Sequence, residues 1–78
     1  MPTGHAIYLP MIGRLWRSRG CYTPAIFLRW QDAADAVYGL SKWKRNHRNA
    51  MVVDVLPYGS NRPSVQMDGI PIAFPEPA

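Results

Sequence analysis

The sequence predicts a small α+β domain of the order β-β-α-β-β(-β), a twisted, mostly antiparallel sheet with one helix packed on one face. Three observations predict it. Residues 31–48 have apolar side chains at helical spacing, residues 51–56 form a β-branched run, and short alternating segments broken by glycine and proline fill the remainder. A chain of 78 residues has room for one modest core, so we assign residues 1–78 to a single domain.

The N-terminal third predicts two strands joined by a basic turn. Alternating side chains over residues 5–16 suit one bent strand or two short ones, and Pro10 favours an edge or a break. Residues 17–20 form the turn. Residues 21–29 then form the return strand, which is strongest at residues 26–28.

The helix is predicted over residues 31–48. At about 100° per residue, its apolar residues fall on one face. These inward residues are Ala33, Ala36, Val37, Leu40, Trp43 and His47. Asp32 or Gln31 is the predicted N-cap, Asp being the better one chemically, and Asn49 is the predicted left-handed C-cap. Gly39 is a weak point, because glycine costs about 1 kcal/mol relative to alanine inside a helix.

The C-terminal third predicts a strand, a loop and a hairpin. Residues 51–56 form the strand, and the strands before and after the helix could form a right-handed crossover. Residues 64–67 and 70–72 form the hairpin around Asp68-Gly69, a pair that suits a type I′ turn, and Pro71 restricts the second arm to an edge. Residues 75–78 are an extended, proline-rich tail.

One helix covers only one face of such a sheet. The alternation predicts one apolar set on the helix side, made of Ile7, Leu9, Met11 and Leu15. It predicts a second apolar set on the other face. The residues expected on the uncovered face are Tyr8, Ile12, Trp16 and Phe27. Either loops and the C-terminal hairpin fold over this face, or a homodimer or partner protein covers it.

Charge and composition exclude several classes of protein. The net charge is +4, which permits a nucleic acid, an anionic membrane or an acidic protein as the partner and selects none. Nothing approaches the ~20 apolar residues of a membrane span, so no membrane partner is expected. Cys21 is the single cysteine, which excludes an internal disulfide and favours a reducing cytoplasm.

No pattern in the sequence predicts catalysis. His5 and His47 lack metal-ligand spacing, and the serines lack a nucleophile motif. Asp32 and Asp35 look like the start of a helix. We therefore expect no enzyme activity, no cofactor and no metal.

Two basic segments are the candidate partner-binding residues. Seven residues in them are assigned to partner binding: Trp16, Arg17, Arg19, Lys42, Lys44, Arg45 and Arg48. Trp16 would be the apolar anchor, and the cations would steer and surround it. The alternative is that these cations only form a solvated hairpin turn and a solvated helix end.

Residues 5–56 resemble, in general shape, small inhibitors encoded by phages and mobile elements, of the anti-CRISPR kind. The resemblance lies in Ala25-Ile-Phe-Leu-Arg-Trp30, in Gln31-Asp-Ala-Ala-Asp-Ala36 and in Met51-Val-Val-Asp-Val-Leu56. These families share no common motif, so no functional residue is transferred. Many acidic members mimic DNA, which a basic chain does not. The resemblance implies a non-enzymatic protein that binds and blocks a host or defence complex.

Three functions follow in order of preference. The first is a cytoplasmic, non-enzymatic binding protein that occupies a surface on a protein or ribonucleoprotein complex. The second is a nucleic-acid-binding module that uses the same cations on phosphates. The third is a small structural subunit that dimerises through its open sheet face.

Overall fold

One antiparallel sheet of five strands and one α-helix make up the fold in the described part of the chain. The computed structural model describes residues 3–40, 42 and 45–75. The strands are β1 (Gly4–Leu9), β2 (Arg14–Leu15), β3 (Met51–Val55), β4 (Val65–Met67) and β5 (Ile70–Ala73), in the spatial order β2-β1-β3-β5-β4. The helix is α1 (Trp30–Leu40), and Arg45–His47 form a 3-10 turn. The predicted α+β class is confirmed.

β1 and β2 form a hairpin whose turn takes up residues 10–13. Tyr8 lies opposite Leu15, and the N–H of Trp16 donates to the carbonyl of Ile7 at 2.7 Å. Paired residues of an antiparallel ladder share a face, so Leu15 is on the face of Tyr8 and Trp16 is on the face of Ile7. The predicted face assignment is therefore wrong at Leu15 and Trp16, because it continued the alternation through a turn that reverses the chain.

The predicted return strand over residues 21–29 is reduced to a single bridge. The N–H of His5 donates to the carbonyl of Phe27, and the N–H of Phe27 donates to the carbonyl of His5, both at 2.7 Å. Pro24 has no N–H to add to the ladder. The preceding Cys21 and Tyr22 are exposed, and among the described residues the segment pairs with β1 only through the backbone of Phe27.

The helix is shorter than predicted. It ends at Leu40, directly after Gly39, and not at residue 48. Gly39 weakens the last turn. Of the inward positions predicted after Leu40, the structure describes His47, and this residue is not fully buried. Trp43 and Lys44, which were placed on the predicted helix, lie outside the described residues.

The helix also begins earlier than predicted. Trp30 is its first residue, so Arg29 stands at the N-cap and neither Asp32 nor Gln31 does. The bridge at Phe27 holds the chain three residues before the helix. Asp32 lies in the first turn, where the macrodipole favours an acid.

β1 and β3 are the central pair. They run antiparallel from Gly4 opposite Val55 to Tyr8 opposite Met51. The predicted right-handed crossover was between the strand over residues 21–29 and the strand over residues 51–56. Residues 21–29 form only the bridge at Phe27, so the crossover stays a prediction. α1 packs across these two strands with Ala33 fully buried. It covers the face that carries Ile7 and Leu9, both of which are buried.

The second face of the sheet is covered by the C-terminal part of the chain. Its buried cluster is Ala6, Leu15, Val53, Val55 and Ile72, against which Tyr8, Met67 and Ile70 pack. The ring of Phe74 meets the ring of Tyr8 edge-to-face at 5.0 Å. Of the four residues predicted on an open face, only Tyr8 is on this side, and it is half-buried. Dimerisation stays a prediction.

The C-terminal hairpin has the predicted backbone, whereas Asn49 has the predicted left-handed φ but does not cap α1, which ends at Leu40. Asp68 and Gly69 both have positive φ, 54° and 77°, as a type I′ turn requires, and Asn49 has φ 60°. β5 is not an edge strand as predicted from Pro71, since it lies between β3 and β4. It pairs with β3 at only two positions. Pro75 continues the chain without secondary structure, and residues 76–78 lie outside the described part.

Candidate functional site

A groove runs between the β1–β2 hairpin and the end of α1. We call it the arginine groove; its volume is about 810 Å³. Its lining combines an apolar floor with cationic side chains, and the residues are Leu9, Ile12, Arg14, Leu15, Trp16, Arg17, Arg19, Gly39, Leu40 and His47. No acidic residue of the described chain lines it.

The short hairpin positions the cations of the arginine groove. β2 is only two residues long, so the chain leaves the sheet directly after Leu15, and Arg17 and Arg19 follow in the turn. Trp16 is half-buried at this point. Its ring lies parallel to that of Phe27, with a centroid distance of 6.4 Å and an interplanar angle of 11°. Trp16 is thereby held at the base of the arginine segment.

Arg17 already binds a carboxylate of the same chain. Its Nη2 atom donates to Oδ1 of Asp68 at 2.9 Å. Asp68 belongs to the turn between β4 and β5, so this ion pair joins the two ends of a nearly closed sheet. The side chains are 37% and 26% exposed, which leaves the pair open to solvent and to competing anions.

The second basic segment is only partly at the groove. Lys42 places its ammonium 4.2 Å from the centroid of the Tyr38 ring, outside the groove lining. Arg45 and Arg48 are exposed at the 3-10 turn and do not line the groove either. Lys44 lies outside the described residues. The structure thus brings together three of the seven predicted residues, Trp16, Arg17 and Arg19.

Two basic residues of the groove, Arg14 and His47, were not assigned to partner binding from the sequence. Arg14 lies in the same basic hairpin, and its proximity in sequence to Trp16 and Arg17 is the signal that could have identified it. His47 was placed at the core margin on a helix that continued to residue 48. Because α1 ends at Leu40, His47 instead reaches the groove from the 3-10 turn.

A polar cluster lies away from the groove. Asp54 accepts a hydrogen bond from Nη1 of Arg62 at 2.9 Å, and its other oxygen lies 3.2 Å from Nδ1 of His5. The His5 contact has ion-pair distance without hydrogen-bond alignment, so it is attractive when the imidazole is protonated. His5 is largely buried, and the cluster ties β1, β3 and the following loop together.

The described residues show two further absences. No group of three or more His, Cys, Asp or Glu side chains among them is arranged to hold a metal ion. No helix among them has the length and the apolar run that crossing a membrane requires.

Comparison with known proteins adds no relative. No protein-family model, no curated protein and no solved structure matches this chain.

Proposed function

We propose that this protein is a non-enzymatic binding protein that uses the arginine groove to occupy an anionic surface on a protein or ribonucleoprotein partner. The observation that supports this most directly is the lining itself. Arg14, Arg17 and Arg19 meet there with Trp16, and no acid of the described chain lines the groove. Arginine and tryptophan are the residue types that most often dominate binding free energy.

The expected mode of action is occupation of the partner's surface. The cations would accelerate encounter and fix orientation, and the apolar floor would be desolvated on binding. The anti-CRISPR-like resemblance supplies the hypothesis that the partner is a defence complex, and that hypothesis stays a prediction. A cytoplasmic location is part of the proposal, because the exposed free thiol of Cys21 suits a reducing compartment.

A nucleic acid is the second candidate partner. The observation in its favour is that the two basic segments adjoin, since His47 from the second segment lines the same groove as the arginines of the first. Two basic segments on one side of a small protein extend the cationic surface that a polyanion can follow.

The test compares two triple variants that remove the same charge. Arg14, Arg17 and Arg19 are replaced by Gln in one, and the exposed Arg29, Arg45 and Arg48 are replaced by Gln in the other. Binding of fluorescent oligonucleotides and of an oligo-glutamate peptide is measured by anisotropy, with circular dichroism as the check on folding. The groove triple should weaken binding roughly tenfold or more.

The outer triple is the matched control. For the peptide it should weaken binding only about two- to threefold, through the change in net charge. Equal losses of peptide binding in the two triples would contradict a specific groove, and so would a larger loss in the outer triple. A loss in the outer triple that is confined to the oligonucleotides would favour the second candidate, whose cationic surface includes Arg45 and Arg48. No binding of any anionic probe at low salt would overturn the proposed function.

A further inference from the structure

Resting on the proposed function, we infer that the arginine groove binds the backbone of a single-stranded nucleic acid, free or as part of a ribonucleoprotein. We infer further that Asp68 occupies Arg17 until a phosphate displaces it. Both inferences concern the same site, and each has its own test.

The cationic side chains of the groove suit phosphate. Three arginines, Arg14, Arg17 and Arg19, line the groove, and no lysine of the described chain does. The planar guanidinium group of an arginine can bind two phosphate oxygens at once. Arg17 already has an oxyanion 2.9 Å away, the carboxylate of Asp68. A phosphate oxygen at that position would be held by the same donor, so the internal contact indicates the kind of group that the site accepts.

The floor of the groove favours a single strand over a duplex. Leu40 and Trp16, both half-buried, give the groove an apolar surface. A single strand offers base faces as well as phosphates, and a base can stack on the aromatic ring of Trp16. In a duplex the base faces are stacked on one another, and a protein recognises the bases by inserting a helix or a β-ribbon into the major groove of the nucleic acid. Here the arginine groove is concave, so it admits an extended chain.

The turn at Asp68 acts as an internal competitor for the strand. Its carboxylate is fixed over Arg17 by the positive-φ turn that it shares with Gly69. An exposed ion pair of this kind is weak, so a polyanion can displace it and yet lose some affinity in doing so. Asp68→Asn removes the charge and keeps a residue that suits the turn.

The experiment measures binding of a fluorescent 12-nucleotide single-stranded RNA, the same sequence as single-stranded DNA, a duplex and an oligo-glutamate peptide, over a salt series. The single strands should bind more tightly than the duplex. The log-log salt slope should be about −2, since roughly 0.7 counterions are released per phosphate and three arginines line the groove.

Asp68→Asn should raise the affinity for the single strands about two- to fivefold. Asp35→Asn is the matched control, because it removes the same charge from an exposed helix position that does not line the groove, and it should change affinity less than 1.5-fold, roughly. In an Arg17→Gln background the effect of Asp68→Asn should disappear, as a double-mutant cycle requires when the two residues act through each other.

The outcomes separate this inference from the proposed function. Binding of the peptide without binding of the single strands would overturn the nucleic-acid inference and leave the proposed function standing. Tighter binding of the duplex would overturn the preference for a single strand. Equal effects of Asp68→Asn and Asp35→Asn would overturn the competitor role of Asp68. Failure of every probe would overturn the proposed function as well.

Discussion

Gly4 lies where the first strand is crossed most closely by another segment. A Cβ atom there would lie 2.8 Å from Cγ2 of Ile26 and 3.1 Å from the carbonyl oxygen of Phe27. The isoleucine methyl can turn away, but the carbonyl is held by the N–H of His5. Gly4→Ala should therefore lower the free energy of unfolding by about 1–3 kcal/mol, measured by urea titration. An unchanged midpoint would show that the segment at Phe27 is free to move.

Asp54 is the residue on which the polar cluster depends. It accepts from Arg62 at 2.9 Å and faces Nδ1 of His5 at 3.2 Å. Asp54→Asn keeps one acceptor and removes the charge, so it should lower the free energy of unfolding by about 1 kcal/mol in a thermal or urea melt at neutral pH. Asp35→Asn, on the exposed side of the helix, is the control and should cost less than about 0.5 kcal/mol. Equal losses would contradict a role for the cluster.

At the scale of single residues, the sequence predicted backbone conformations that depend on one residue, and it did not predict contacts between residues far apart in the chain. Asp68-Gly69 and Asn49 have the predicted positive φ because the preference depends on the residue itself. The place of His47 in the groove depends on where α1 ends, and that in turn depends on packing. The contact of Arg17 with Asp68 joins positions 51 residues apart, which no local pattern predicts.

At the scale of elements, Gly39 offers the clearest test. It is the penultimate residue of α1, its φ is not in the left-handed region, and no atom lies within 4 Å of a Cβ built on it. Gly39→Ala should raise the free energy of unfolding by about 0.5–1 kcal/mol and increase the helical circular dichroism signal. A fall in stability would mean that the helix end is strained in a way the geometry does not suggest.

The elements with a strong local pattern were predicted well. The inward face of α1 up to Leu40 and the strand β3 follow from periodicity and β-branched composition, and the β4–β5 hairpin follows from its turn. The return strand over residues 21–29 failed because strand formation depends on a neighbouring ladder, and Pro24 cannot donate to one. The predicted length of the helix was wrong because the apolar spacing in the sequence continues past Leu40, where the packed face of the helix ends.

At the scale of the whole molecule, the two faces of the sheet give contrasting predictions. Tyr8 packs on the buried cluster and against Phe74, whereas Ile12 lies in the hairpin turn and is 44% exposed. Tyr8→Asp should unfold the protein or lower the free energy of unfolding by more than about 3 kcal/mol, because it buries a charge without a partner. Circular dichroism and urea titration measure this.

Ile12→Asp is the matched control for that change. It should leave both the fold and the molar mass by light scattering unchanged. A folded Tyr8→Asp variant whose mass falls to half that of the parent protein would contradict the closed face and restore a dimer through it.

The α+β class itself was predictable because it needs only the number and type of elements. The coverage of the second face was not, since it depends on where the C-terminal hairpin packs.

The pairing of β1 with β3 has a consequence for how the protein is made. Gly4 pairs with Val55, so the first strand must wait for a partner that is 51 positions later in the chain. At ~5–20 residues per second of translation, that delay is roughly 3–10 s. Throughout it, β1 has only the two-residue β2 and the single bridge at Phe27 as local partners. Long-range strand pairing also closes slowly, in ~ms to s. The newly made chain therefore passes through an interval in which an unpaired apolar strand is open to chaperones and to aggregation.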